Sequence, residues 1–194
     1  MKLLMKCVTL LVLVFFSIST NAQKIKTIEG DLSVLKNETT INIEFLYDGM
    51  SVGSYADEKE YIKKKTAEFN AKEPGRGDSW AKLWVSDRAL KFEPKFIDLF
   101  EEHSGMTVKK NAKYTMIFKT TSTEPGYYVY ISKKNAEIDA EVTIVETADR
   151  TKIIAVISLK NAPGRTFAGA DWATGDRIAE SYAVSGKKLA KHIK

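Results

Sequence analysis

The stretch EIDAEVTIVET, residues 137–147, decides the fold class of this chain. Ile138, Ala140, Val142 and Ile144 occupy alternate positions, with acidic or polar residues between them. Because successive side chains of a strand point to opposite faces of a sheet, this alternation predicts a strand with one buried face and one wet face. A sheet that meets solvent on one side is typical of antiparallel arrangements.

Flanking segments extend this strand into a predicted meander, because they are rich in β-branched and aromatic residues and are separated by short turns. The meander strands are residues 114–121, 127–132, 137–147 and 152–160. Two earlier strands are predicted at 32–35 and 41–47. Residues 80–86, with Trp80 and Trp84, are interpreted as a short strand, with a helix as the alternative.

Three helices are predicted around this sheet. Asp57 and Glu60 form a capping pattern that predicts a helix from 57 to about 72. Pro94 suits the first turn of a second helix, which ends at Ser104-Gly105. The last helix begins at Trp172 or Gly175 and ends at 193. Its row of small residues is expected to lie against the sheet, and consists of Ala179, Ala183, Gly186 and Ala190.

Together these elements predict an α+β fold, with a single layer of mostly antiparallel sheet and three helices packed mainly on one face. Residues 23–194 are long enough for one domain with its own core. No internal repeat or low-complexity segment indicates a second domain.

The first 22 residues have the pattern of a secretory signal peptide. Lys2 and Lys6 precede an apolar run at 8–16, and small residues lead to Ala22. The run is shorter than the roughly 20 apolar residues of a membrane helix, so we expect cleavage after Ala22 and export to the periplasm or beyond. No transmembrane segment is expected after cleavage.

Composition excludes several kinds of chemistry. The single cysteine, Cys7, lies in the predicted signal, so thiol catalysis, thiolate metal sites and disulfides are not expected. The chain has 30 basic and 25 acidic residues, but the lysines are spread among acids and no nucleic-acid motif is present. We therefore expect no nucleic-acid partner and a mildly basic, solvated exterior.

Catalytic, metal and cofactor sites are not predicted. His103 is interpreted as a half-buried residue at a helix end, and the two histidines offer no metal-ligand spacing. Asp139 and Glu141 share one face of a strand, where paired carboxylates can act on sugars. Alternate acids on a wet face also keep a sheet soluble, which is the interpretation we favour.

Two segments contain candidate ligand-binding residues. The loop that leads into the last helix offers two aspartates for a cation or two arginines for an anion, although the aspartates suit helix caps equally well. An aromatic and basic hairpin near residue 130 offers rings for stacking on sugars or for docking a protein. The candidates are Arg165, Asp171, Trp172, Asp176 and Arg177 in the loop, and Tyr128 and Tyr130 in the hairpin.

The chain resembles uncharacterised exported proteins of Bacteroidetes. The resemblance rests on the signal end Asn21-Ala22-Gln23, on the strand YTMIFKTT at 114–121, and on GDRIAESY and GKKLAK at 175–182 and 186–191. It implies export and carries no known chemistry. The order of elements is also similar to envelope domains that resemble the amino-terminal domain of TolB, although the lipobox cysteine of envelope lipoproteins is missing here.

These observations favour a non-enzymatic binding module of the bacterial cell envelope, with an envelope protein or a glycan as its partner. The alternatives are a small glycan hydrolase, which would use Asp139, Glu141 or Asp171 with Asp176, and a self-assembling structural subunit. The sequence leaves the oligomeric state open.

Overall fold

A computed structural model of the chain describes residues 23–129, 131–164 and 174–194. The predicted signal peptide, residues 1–22, lies outside the described residues. The helices and strands named below belong to the described ranges alone.

The described strands are β1 (Lys24–Gly30), β2 (Thr40–Leu46), β3 (Ser51–Val52), β4 (Thr107–Val108), β5 (Tyr114–Glu124), β6 (Tyr127–Val129), β7 (Ser132–Lys134), β8 (Glu137–Glu146) and β9 (Ile153–Pro163). Seven of them form one mixed sheet in the order β1-β9-β8-β5-β2-β4, with β3 also pairing with β5. β6 and β7 form a separate two-stranded hairpin.

Four strands of the sheet pair antiparallel, in keeping with the mostly antiparallel sheet that the sequence predicts. β1, β9, β8 and β5 are joined antiparallel, whereas β2 pairs parallel with both β5 and β4, and β3 pairs parallel with β5. The sheet is therefore antiparallel over four strands and parallel at one end, and the α+β prediction is confirmed.

The helices are α1 (Glu58–Lys72), α2 (Arg76–Asp87), α3 (Glu93–Ser104) and α4 (Thr174–His192). A π-helical turn, Arg88–Phe92, joins α2 to α3, so that residues 76 to 104 form one continuous helical segment. Asp57 caps α1 by accepting from the backbone N–H of Lys59 at 2.6 Å, as its position predicts. Gly105 closes α3 in the left-handed conformation, with φ of 69°.

The core lies between the sheet and the helices α3 and α4. In β8, Ile138, Ala140, Val142 and Ile144 are buried, and Glu141 on the opposite face is exposed, as the alternation predicts. Aromatic rings fill the space above β5. They include Phe118, whose ring lies 4.9 Å from that of Phe96 and 5.8 Å from that of Tyr182.

The strand predicted at 32–35 is wrong, because these residues form a short 3₁₀ helix. Asp31 caps this helix, and its carboxylate accepts from the backbone N–H of Ser33 at 2.8 Å. This local bond competes with sheet pairing, and the strand that pairs with β9 is β1 instead, which the sequence analysis missed.

Three further expectations need correction. Residues 80–86 belong to α2, where Trp80 and Trp84 lie one turn apart, so the strand prediction is wrong. Residues 127–132 do not form a strand of the main sheet, because β6 turns back on β7. The small-residue row of α4 does not lie mainly against the sheet: a Cβ placed on Gly186 would lie 2.2 Å from the carbonyl oxygen of Phe96 in α3.

Candidate functional site

A pocket of about 210 Å³ opens where α1, α2 and the first turn of α4 meet. We call it the tryptophan pocket. Its lining is mainly apolar, with several charged groups at the rim, and consists of Phe69, Arg76, Ser79, Trp80, Leu83, Trp84, Asp87, Lys91, Thr174 and Gly175. Apolar concave surfaces with a few polar groups are typical of small-ligand sites.

The backbones of α1 and α2 come into contact at Gly77, near the pocket. A Cβ on Gly77 would lie 2.1 Å from the carbonyl oxygen of Thr66, so only glycine fits at this crossing. Asn70 of α1 fixes the first turn of α2 by accepting from the backbone N–H of Gly77 at 2.7 Å. One turn later the large ring of Trp80 follows, and the space beside it becomes the pocket.

Hydrogen bonding fixes the orientation of the buried indole. Trp84 is 6% exposed, and its Nε1–H donates to Oε1 of Glu58 at 2.6 Å. The same carboxylate oxygen forms an ion pair with Arg88 of the π-helical turn. Glu58 therefore joins α1, α2 and the π-helical turn at a single atom.

Arg88 also connects the pocket to the core. Its guanidinium lies over the ring of Tyr47, 4.3 Å from the centroid, and the hydroxyl of Tyr47 donates to Glu93 at 3.1 Å. Burial raises the pKa of Tyr47 far above its ordinary value, so the hydroxyl stays protonated and remains a donor. This network holds the back of the pocket rigidly.

Three charged side chains meet at the pocket rim. Nζ of Lys91 lies 3.3 Å from Oδ1 of Asp87 and 3.0 Å from Oδ1 of Asp176. Asp87 is buried, whereas the side chain of Asp176 is half exposed. Burial raises the pKa of the Asp87 carboxyl; Lys91 opposes this shift and Asp176 adds to it.

Asp87 also fits closely against the start of α4. A Cβ on Gly175 would lie 1.8 Å from Oδ2 of Asp87, so the carboxylate occupies the space that a side chain would fill. A negative charge beside the first turn of a helix is favoured by the helix dipole. This contact explains why a buried acid is tolerated at the pocket wall.

A second, more open cavity of about 480 Å³ lies beside the first. We call it the tyrosine cleft. It lies between α1, the segment after β3 and the β6–β7 hairpin, and Thr174 contributes to both cavities. Its aromatic and charged lining consists of Tyr55, Tyr61, Tyr127, Lys65, Lys134 and Glu124.

Arg177 forms part of the framework behind this cleft. It is 2% exposed and donates to the carbonyl oxygens of Pro125 and Gly126, both at 3.3 Å, and to Oγ1 of Thr174 at 2.8 Å. These bonds tie the turn before β6 to the first turn of α4. The structure therefore places this predicted ligand-binding residue in the interior, as a support of the cleft.

Of the other predicted site residues, Asp176 forms an ion pair with Lys91, which lines the tryptophan pocket. Arg165, Asp171, Trp172 and Tyr130 lie outside the described residues. Tyr128 belongs to β6, where its backbone pairs with Lys133, and its side chain is outside the description. The ligand-binding role of these residues stays a prediction.

The two strand carboxylates considered for hydrolysis, Asp139 and Glu141, do not line the tryptophan pocket. Asp139 accepts from Nζ of Lys160 at 3.0 Å and from the backbone N–H of Asn161 at 2.8 Å. Asn161 has a positive φ of 56°, so this bond supports a strained residue in β9. Glu141 is exposed on the open face of the sheet.

His103 bonds within its own helix, since its Nδ1 lies 3.1 Å from the carbonyl oxygen of Leu99. Within residues 23–129, 131–164 and 174–194, no three His, Cys, Asp or Glu side chains cluster so that they could hold a metal ion. The helices in those same ranges are all too short or too polar to cross a bilayer.

Comparison with known proteins gives little further information. No family model and no curated protein matches the chain. One similar solved structure is the PelC dodecamer from Paraburkholderia phytofirmans in space group P6, with 9% identity and a TM-score of 0.38, over 84% of this chain and 96% of that one. Another is a PelC single-residue variant dodecamer from the same organism in space group C2, with 10% identity and a TM-score of 0.35, over 84% and 97%. Similarity at this level says nothing about function.

The sequence does not predict the tryptophan pocket when residues 80–86 are interpreted as a strand. On a strand, Trp80 and Trp84 would be separated from Asp87 by the alternation of faces. On a helix, positions 80, 84 and 87 share one face, and this spacing was the available signal.

Proposed function

We propose that this protein is a non-enzymatic, exported module of the cell envelope that binds a glycan in the tryptophan pocket. One observation carries the proposal: Trp80, partly exposed, and Trp84, buried, line a concave surface with charged groups at its rim. The C–H faces of a sugar ring pack on indole rings, and its hydroxyls bond to charged rims.

The size of the pocket supports a small, ring-shaped ligand. Its volume of about 210 Å³ is below the roughly 300–1,000 Å³ of sites that enclose drug-sized molecules. Leu83, 57% exposed, extends the apolar surface at the mouth. One sugar of a longer chain suits this shape, with the rest of the chain outside the pocket.

Calorimetric titration of the purified protein with neutral and acidic hexasaccharides tests this proposal. The set includes hexamers of glucose, of N-acetylglucosamine and of galacturonate. We expect binding to at least one of them and a loss of about tenfold or more in the Trp80→Ala variant, since this change removes the apolar surface on which the sugar ring packs.

Leu90→Ala is the matched control, because Leu90 is 70% exposed on the same helical segment and does not line the pocket. It should bind as the unchanged protein does. No binding to any of the sugars, or equal binding by the Trp80→Ala protein, contradicts the proposal.

One observation favours glycan hydrolysis as a second candidate. Asp87 and Asp176 share the ammonium of Lys91 at the pocket rim, and burial raises the pKa of Asp87 as a general acid requires. Release of reducing ends from the bound hexasaccharide, lost in Asp87→Asn and Asp176→Asn, would support hydrolysis. Intact sugar recovered after prolonged incubation would support binding alone.

A further inference from the structure

We infer that the glycan is a linear acidic chain that lies along α1, from the tryptophan pocket to the tyrosine cleft. This inference rests on the proposed function, because it extends the same binding site. It assigns the tyrosine cleft as a second subsite and the lysines of α1 as the groups that recognise negative charge.

The two cavities lie in sequence along one face of α1. Tyr61 and Lys65 line the tyrosine cleft, and Phe69 lines the tryptophan pocket. Their spacing of four residues places all three on the same side of the helix. From Tyr61 to Phe69 the helix rises by about 12 Å, which exceeds the length of one sugar ring.

Aromatic rings continue from one cavity to the other. The ring of Tyr61 lies 5.8 Å from that of Tyr55 and 5.8 Å from that of Trp80, and Phe69 lies 5.5 Å from Trp80. Tyr55 and Trp80 are partly exposed, and Tyr127 is 43% exposed. A glycan that runs from the tryptophan pocket to the tyrosine cleft therefore meets an exposed or partly exposed ring at both ends.

Cations gather along the same face. Lys65, Lys72 and Arg76 lie 5.7, 5.7 and 5.6 Å from the ring of Phe69. Lys64 lies 5.5 Å from the ring of Tyr55. Rings that already attract cations hold these groups beside the path.

Carboxylates neutralise only part of this charge. Lys65 pairs with Glu68 at 3.0 Å, and Arg76 lies 3.8 Å from Glu73. In the described part of the chain, neither Lys64 nor Lys72 forms an ion pair. The pKa of Lys64 is raised mainly by the hydroxyl of Tyr55 and to a smaller extent by Glu68. Two exposed ammonium groups about two turns apart, beside a row of rings, suit the repeated carboxylates of an acidic glycan.

The test is calorimetric titration of the full protein with two probes of equal length, hexagalacturonate and neutral chitohexaose, at low and at high salt. We expect tighter binding of hexagalacturonate at low salt, with the difference reduced at high salt because exposed charges are screened. The double variant Lys64→Gln/Lys72→Gln should lose about tenfold for hexagalacturonate and keep its affinity for chitohexaose.

Lys188→Gln, an exposed position on α4, is the matched control and should bind both probes as before. Equal affinity for the two probes, or an acidic preference that survives in the double variant, overturns the inference while Trp80-dependent binding still supports the proposed function. Binding of neither probe overturns the inference, and the absence of binding to the glucose hexamer as well overturns the proposed function. Tighter binding of single-stranded oligothymidylate than of either sugar overturns the assignment to a glycan.

Discussion

Two helix crossings in this protein both have a glycine at the point of contact, but they differ in the size of the residues on the neighbouring turns. α4 meets α3 at Gly186, where a Cβ would lie 2.2 Å from the carbonyl oxygen of Phe96, and α2 meets α1 at Gly77, where it would lie 2.1 Å from that of Thr66. On α4 the neighbouring turns present Ala183 and Ala190. On α2 the following turns present Trp80 and Trp84.

This difference distinguishes a packed helix crossing from the candidate site. Small side chains let α4 approach α3, and the crossing is packed on its buried side, around Gly186 and Ala190. On its outer side a shallow surface groove remains, lined in part by Ala183. The large indole rings of Trp80 and Trp84 follow Gly77 on α2, and a pocket remains beside them. The same backbone contact thus supports a closed core in one place and an open site in the other.

The largest expected effect on the free energy of unfolding comes from the crossing of α3 and α4. Gly186→Val would place a branched side chain against the backbone of Phe96, which cannot move aside without shifting α3. We expect a loss of about 3 kcal/mol in the free energy of unfolding, measured by urea denaturation. Lys187→Ala, exposed on the same helix, should change it by less than about 0.5 kcal/mol, and a similar loss in both variants would contradict close packing at Gly186.

The ion pair behind the pocket should matter somewhat less. Glu58→Ala removes the acceptor of Trp84 and leaves Arg88 without its carboxylate, so we expect a loss of about 2 kcal/mol in the free energy of unfolding. Glu60→Ala is the control, since Glu60 is exposed on the same helix. In a double-mutant cycle, Arg88→Met should cost less when Glu58 is already replaced, and strictly additive losses would contradict the contact.

Replacement of the exposed indole should affect binding far more than folding. Trp80→Ala enlarges a pocket that is already open to solvent, so we expect it to cost only about 1 kcal/mol in the free energy of unfolding. Leu83→Ala, at the mouth, should leave stability unchanged. A loss as large as that of Gly186→Val would show that Trp80 belongs to the core.

The smallest expected effect is a pH dependence from Asp87. Burial raises its folded pKa above the ordinary value of about 4, so the folded state binds the proton more tightly than the unfolded state does. The contribution of Asp87 to stability should therefore fall as the pH rises from the ordinary to the raised pKa, and then stay constant. Unfolding free energies measured from pH 4 to 7 should show this slope reduced in Asp87→Asn and retained in Asp98→Asn, an exposed control. An unchanged slope in Asp87→Asn would contradict the shift.

The sequence predicts best those parts of the fold that depend on local patterns of neighbouring residues. Alternation in β8 and the capping signals at Asp57 and Gly105 are local, and the structure confirms them. The error at 32–35 has a local cause too, because the side chain of Asp31 offers the backbone a bond that an apolar pattern does not reveal.

The site depends on contacts between residues far apart in the chain, and these could not be derived from one sequence. Asp87 and Gly175 meet only because α4 returns to the end of α2, and Glu58 reaches Trp84 across two helices. Asp176 was predicted as a ligand-binding residue from its loop position, yet its partner Lys91 carried no signal. Sequence patterns predict individual helices and strands, whereas the site arises from the way in which these elements pack together.

The most direct test of glycan binding in the tryptophan pocket is an NMR titration of nitrogen-15-labelled protein with the hexasaccharide that binds most tightly. The indole N–H signals of Trp80 and Trp84 and the backbone amide of Gly175 should shift together with a single affinity, while the amide of Glu141 on the open sheet face stays in place. Shifts confined to the sheet face or to the β6–β7 hairpin, with both indole signals unchanged, would contradict the assignment of the tryptophan pocket as the binding site.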